Sequence, residues 1–162
     1  MYCAQYDSPV GALLLTCTDR GLTGILMNRE APGLQQEHPI LQKTKVWLDA
    51  YFRGENPQMA IPLAPEGTVF QKTVWKLLLE IPYGESCSYG QLARKMAAAF
   101  GKEKMSAQAV GQAVGRNPIS ILIPCHRVVG AKGQLTGYAG GLETKIWLLR
   151  HEGQQGIIGL EK

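Results

Sequence analysis

The stretch Pro62-Leu63-Ala64-Pro65-Glu66-Gly67 constrains this chain more than any other. Two prolines and a glycine so close together remove backbone donors and fix φ, so neither a helix nor an inner strand can run through them. The hydrophobic pattern also changes across this break. Before it, apolar runs at residues 10–18 and 22–27 are separated by Asp7-Ser8-Pro9 and Asp19-Arg20-Gly21, the spacing of a β-meander or hairpin. After Pro32-Gly33, the apolar positions Leu41, Val46, Trp47, Leu48, Tyr51 and Phe52 fit a helix over residues 39–52 that stops at Gly54. A further short strand is expected at residues 58–63. The chain is therefore predicted to form two lobes: an α/β lobe of a small antiparallel sheet plus a helix over residues 1–65, and a mostly α lobe over residues 66–162.

In the second lobe Phe70, Val74, Leu77, Leu78 and Ile81 form one helical stripe, ended by Pro82-Tyr83-Gly84. Ser88 and Gln91 have the spacing of a capping box, opening a helix with Leu92 and Met96 inward. A third helix is expected over residues 106–114, ended by Gly115, with Asn117-Pro118 forbidding continuation. Helix, turn, helix is one DNA-binding arrangement, and plain antiparallel helix pairs share its signature. Gly111 lies inside the third helix and costs ~1 kcal/mol against alanine. With Ala107, Ala109, Ala113 and Gly115 it leaves a small-residue surface, fit for a neighbouring helix or for a narrow nucleic-acid groove.

Charge separates the lobes in the same way. Residues 1–65 carry −1 and residues 66–162 carry +5. Within residues 91–132, Arg94, Lys95, Lys102, Lys104, Arg116, Arg127 and Lys132 face Glu103 alone, a bias that attracts polyanions and that an ordinary solvated surface also shows. Apolar residues make up 45% and charged residues 19% of the 162, the balance of a globular protein. No apolar run approaches the ~18 residues of a spanning helix, and the first residues lack a basic stretch leading into an apolar one. Cys3, Cys17, Cys87 and Cys125 form no C-x-x-C pair, which suits free thiols in a reducing compartment. The expected location is cytoplasmic, with no membrane association.

After Pro118, Ile119-Ser120-Ile121-Leu122-Ile123 reads as a short buried strand leading to Pro124-Cys125-His126-Arg127-Val128. No second Cys/His pair stands at zinc spacing, so no metal is expected. Cys125 reads either as a buried structural cysteine or as a nucleophile, since a base (His126) and a cation (Arg127) beside it are what lower a thiol's pKa. Residues 143–152 read as a helix with Ile146 and Leu149 inward and Gly153 just past its end. Glu152 then sits at the negative end of the helix dipole, which is tolerated more easily if the carboxylate orients His126. A frayed, exposed helix end is the other reading.

Pro124-Cys125-His126-Arg127-Val128 resembles the active-site signature of the O6-alkylguanine-DNA alkyltransferases, or methylated-DNA–protein-cysteine methyltransferases. Further blocks are similar in the same order: Gly67-Thr68-Val69-Phe70-Gln71, Ile81-Pro82-Tyr83-Gly84, Ser88-Tyr89-Gly90, Ala109-Val110-Gly111, Arg116-Asn117-Pro118, Gly137-Tyr138-Ala139-Gly140-Gly141 and His151-Glu152-Gly153. The resemblance covers residues 67–153, and it implies an RNase H-like first lobe.

It also implies a suicide repair protein that takes the alkyl group of O6-methylguanine, and by extension of O4-methylthymine, onto Cys125 after base flipping. By the same resemblance His126 is the base acting through a water, Glu152 orients His126, Tyr89 polarises or protonates the leaving guanine, and Asn117 ties the helix to the cysteine segment. Tyr138 and the backbone at Ala139 would line the base pocket. The helix bearing Gln108, Ala109 and Gly111 would enter the minor groove of double-stranded DNA, with Arg116, Thr68 and Arg127 as phosphate or structural contacts. No cofactor is implied, and a monomer is expected in solution. Where the family's helix usually carries the arginine that fills the gap left by the flipped base, this sequence has Gln108. The stretch Met96-Ala97-Ala98-Ala99-Phe100-Gly101-Lys102-Glu103-Lys104 is longer than in many relatives. Three other readings stay open on the residues: a lesion-binding protein without transfer, a Cys-His hydrolase, and a helix-turn-helix regulator in which Cys125 is dispensable.

Overall fold

The computed structural model describes residues 1–33, 35–138 and 140–157. The chain divides into two compact units, and the division is not a single cut: Met1–Glu66 is joined by Pro118–Leu122, and Gly67–Asn117 by the chain from Ile123 on. Pro118–Leu122, expected within the second lobe, thus belongs to the first unit.

In the first unit, β1 (Tyr2–Ser8), β2 (Gly11–Thr18) and β3 (Gly21–Met27) form an antiparallel meander in that order, with a register shift between Thr16 and Cys17. Consecutive Leu13, Leu14 and Leu15 on the central strand are all buried, so both faces of β2 are covered. Helix α1 (Pro39–Phe52) packs against the sheet. Proline at its first position is pre-set for helical φ, and His38 caps it, Nδ1 accepting from the Ile40 amide at 3.1 Å. Its inward face is Ile40, Leu41, Thr44, Leu48 and Tyr51, while Val46, one of the apolar positions that mark the helix in the sequence, is exposed.

Two expected strands are not strands. Residues 58–63 contribute one isolated bridge, Leu22 to Leu63, because Pro57, Pro62 and Pro65 withhold the donors a ladder needs. Residues 119–123 likewise give one bridge, Ile25 to Ile119, before the chain turns. Ile121 adopts φ of 74°, which a β-branched residue takes only under strain and which no strand contains.

In the second unit α2 (Val69–Leu78), α3 (Tyr89–Ala99) and α4 (Ala107–Gly115) pack on one another. Reciprocal capping boxes open α2 (Thr68 with Gln71) and α3 (Ser88 with Gln91), and the Ser106 hydroxyl accepts from the Ala109 amide to open α4. On α2 the buried side chains are Val74, Trp75 and Leu78; Phe70 and Leu77 are half-buried, and Ile81 is buried in the turn that follows. The Trp75 indole reaches Ala113 O at 2.9 Å, tying α2 to α4. Gly67 is required by this ring, since a Cβ there would lie 2.6 Å from it. A short parallel pair, β4 (Cys87–Ser88) with β5 (Val128–Val129), then α5 (Leu142–His151), complete the unit. Val129, Leu149 and Ile157 form a small core there, backed by Leu135 and Ile146.

Candidate active site

Cys125 opens a single 3-10 turn, Cys125–Arg127, whose side chains are all buried. The turn is placed from both sides. Before it, the Asn117 amide donates to Ile123 O at 2.8 Å, closing the neck from which residues 118–122 leave for the first unit. After it, β5 pairs with β4, Ser88 opposite Val129, which sets Tyr89 as the first residue of α3.

Helix α5 delivers the acid. Glu152 is its C-cap residue, with Gly153 beyond at φ of 72°, one position from the expected end. A carboxylate at this end of a dipole is unfavourable on its own. Here it is buried and fully engaged: Oε2 lies 2.7 Å from His126 Nε2, Oε1 accepts from Arg127 Nε at 2.8 Å, and Arg127 Nη2 donates to Oε2 at 3.1 Å. Burial pushes the Glu152 carboxyl up, but the bonds and charges of His126 and Arg127 outweigh it and hold it at about 2. His126 is pushed down, chiefly by burial and further by the Arg127 and Lys145 charges, against the pull of Glu152. A neutral imidazole beside an ionised carboxylate carries its proton on Nε2. Nδ1, buried and without a hydrogen-bond partner among the described residues, is then the basic nitrogen.

The thiol corrects a sequence expectation. Burial raises the Cys125 pKa, so the sulfur is protonated in the free protein. The groups that oppose this are the Asn117 and Tyr138 side chains and the Lys145 charge. Arg127 does not serve it. The guanidinium is spent on Glu152 and on Ile81 O at 2.7 Å, so Arg127 is a buried structural residue and not a phosphate contact.

The remaining residues fall into groups. Gln108 and Arg116 are exposed on and just after α4, and Ala109 and Gly111 are half-buried on it. A Cβ on Gly111 would sit 3.6 Å from the Tyr89 ring, so part of the small-residue face accommodates that ring. Thr68 is exposed, but its hydroxyl is occupied as the cap of α2. Ala139 lies outside the described residues.

Lys145 and Thr136 escaped the sequence reading. Lys145 is buried and donates to Val128 O at 2.6 Å and to Thr136 Oγ1 at 3.2 Å, while the Thr136 hydroxyl donates to the Tyr89 oxygen at 3.3 Å. The missed signal was periodicity: Lys145, Leu148, Leu149 and Glu152 recur at i, i+3, i+4 and i+7, an inward stripe that includes a lysine. Among the described residues no group of three or more His, Cys, Asp or Glu could hold a metal, and no helix is long and apolar enough to cross a membrane.

Known proteins match along the whole chain. The profile of the 6-O-methylguanine DNA methyltransferase ribonuclease-like domain matches residues 1–65, and that of its DNA binding domain residues 69–154. The methylated-DNA–protein-cysteine methyltransferase of Methanosarcina acetivorans is 45% identical over 159 residues, covering 94% of this chain and 99% of that protein. The relative of the same name from Haemophilus influenzae is 44% identical, covering 94% and 86%. The crystal structure of Mycobacterium tuberculosis OGT in complex with DNA aligns with a TM-score of 0.81 at 42% identity, over 94% of this chain and 92% of that one. With both domains matched in order and relatives aligned over nearly all of their length, the chain belongs to the 6-O-methylguanine DNA methyltransferase family.

Proposed function

We propose that this protein repairs DNA by moving the alkyl group of O6-methylguanine, irreversibly and once per molecule, onto Cys125. The observation that carries the reading is the buried His126–Glu152 contact at 2.7 Å, which leaves His126 Nδ1 as a base in the residue next to the cysteine. The relatives named for the same transfer to cysteine support it.

The protein's groups divide the work. His126, through a water, takes the thiol proton. Glu152 holds the imidazole in the right tautomer and stabilises the imidazolium that results. Asn117, Tyr138 and Lys145 favour the thiolate as it forms. The sulfur attacks the methyl carbon, the bond from that carbon to O6 breaks, and the Tyr89 hydroxyl donates to the departing base. The thioether has no route back, since none of these groups can displace a thiolate from methyl.

For the target to reach a buried sulfur the base must leave the duplex, with α4 in the minor groove, Gln108 partly filling the gap and Tyr138 lining the pocket. Arg116 and the Thr68 turn lie against the backbone. The protein acts as a monomer on double-stranded DNA, and O4-methylthymine presents the same displaceable methyl.

The test is to incubate the protein with duplex DNA carrying a single O6-methylguanine and weigh it intact. A gain of one methyl mapped to Cys125, with one equivalent of DNA repaired, is expected, and Cys125→Ser is expected to bind DNA without transfer. Methyl on Cys3, Cys17 or Cys87, or many turnovers per molecule, would overturn the reading and favour a hydrolase or a pure lesion binder.

A further inference from the structure

The relay from Glu152 to Cys125 gives Thr136 no task and Lys145 only the support of the thiolate, yet Lys145 is only 1% exposed. A lysine that deep is costly unless its ammonium is hydrogen-bonded. Its partners are Val128 O and Thr136 Oγ1, and Thr136 in turn meets the Tyr89 hydroxyl at 3.3 Å. The last distance is long for an O–H to O bond, as catalytic hydrogen bonds often are before substrate closes the site.

The direction of this chain is set at one end. An ammonium only donates, so Thr136 Oγ1 accepts from Lys145 and turns its own hydrogen to the Tyr89 oxygen. The Tyr89 hydrogen is thereby left to point away from Thr136, towards a further acceptor.

We infer that Lys145 and Thr136 form a proton line into Tyr89, with Thr136 as the positioning residue and Lys145 as the source. The inference rests on the reading above, in which Tyr89 serves the departing guanine. At the transfer step the Cys125 sulfur, already a thiolate, forms its bond to methyl as the bond from methyl to O6 breaks. The guanine anion takes the Tyr89 proton, Tyr89 takes that of Thr136, and Thr136 takes one from Lys145. A thiolate, an ammonium and a neutral base become a thioether, an amine and a neutral base. Burial has already brought Lys145 down to about 8, and the Cys125 negative charge is what opposes that shift. Methylation removes the charge, so the ammonium loses its support as its proton is needed.

Thr136→Val keeps the shape and removes the hydroxyl, and Thr136→Ser keeps the hydroxyl. Each is compared with wild type in two reactions at Cys125: methyl transfer from duplex O6-methylguanine, and methylation by methyl iodide, which delivers the same carbon on a leaving group that needs no proton. Thr136→Val is expected to slow the DNA reaction about 10- to 100-fold, short of the ~10²–10⁴ for loss of a general acid outright. The methyl iodide reaction is expected to stay unchanged, and Thr136→Ser to recover the DNA rate. A Thr136→Val variant that repairs DNA at the wild-type rate, a serine variant as slow as the valine one, or a parallel fall in the methyl iodide reaction would overturn the proton line. A wild-type protein inert towards O6-methylguanine would instead overturn the functional reading beneath it.

Discussion

Glu152 shows how one side chain can hold both the fold and the chemistry. It accepts from His126 and from two nitrogens of Arg127 while fully buried, so Glu152→Gln strands the Arg127 charge as well as the imidazole. Breaking a buried pair from one side costs about 3–5 kcal/mol. The pH dependence has a definite sign. The folded carboxyl titrates at about 2 against its ordinary 4.5, so it contributes stability above 4.5 that is lost as pH falls through 2. Denaturant unfolding is expected to show Glu152→Gln well below wild type at neutral pH, with the gap closing between pH 4.5 and 2; a gap independent of pH would mean that the charge is not what stabilises. Methyl transfer is expected to fall at least tenfold in both Glu152→Gln and His126→Ala, by quench-flow with the labelled duplex, as expected for loss of general-base assistance of ~10²–10⁴. Near-wild-type rates in both would assign the activation of Cys125 elsewhere.

At the scale of elements, α4 is built around what faces it. The missing Cβ of Gly111 points at the Tyr89 ring and would make ordinary contact at 3.6 Å. Gly111→Ala is therefore expected to raise stability by about 0.5–1 kcal/mol through helix propensity and to leave repair intact. Gly111→Leu must displace Tyr89 or swing outward, and is expected to slow repair on duplex DNA; thermal melts and single-turnover rates on the two variants check this. Much of this architecture was legible in the sequence because it depends on local pattern: the Ser88–Gln91 capping box and the small surface of α4 are short-range signals. Glu152 was legible for a related reason, since an acid at the wrong end of a dipole asks for a partner. The false strand at residues 119–123 was not, because an apolar run does not reveal that Ile121 takes a positive φ or that five residues leave their own unit. Lys145 was overlooked because lysine reads as surface even on an inward stripe. The raised Cys125 pKa was missed because burial is a property of the packed chain and not of its neighbours in sequence.

For the molecule as a whole, six of the seven cations between residues 91 and 132 are exposed, Arg127 being the exception. A surface of this kind draws DNA by counterion release, and the attraction weakens as salt rises. Gln108 is exposed on α4, and in the function proposed above it would bring no charge to the gap left by a flipped base. Gln108→Arg is expected to raise the duplex repair rate, to raise it less on single strands, and to give its larger gain at high salt, where nonspecific attraction contributes least. A salt series on both proteins decides it: equal rates throughout, or a slower mutant, would place the flipping side chain elsewhere.

The buried, protonated sulfur also bears on how long an unused copy stays fit. A protein consumed by a single event has no second chance if a stray oxidant reaches its acceptor first. Peroxides and disulfides react with thiolates, and Cys125 offers them a shielded thiol. Copies made long before any damage should then be as serviceable as fresh ones. Repair capacity becomes a matter of how many unspent molecules are present and not of their age.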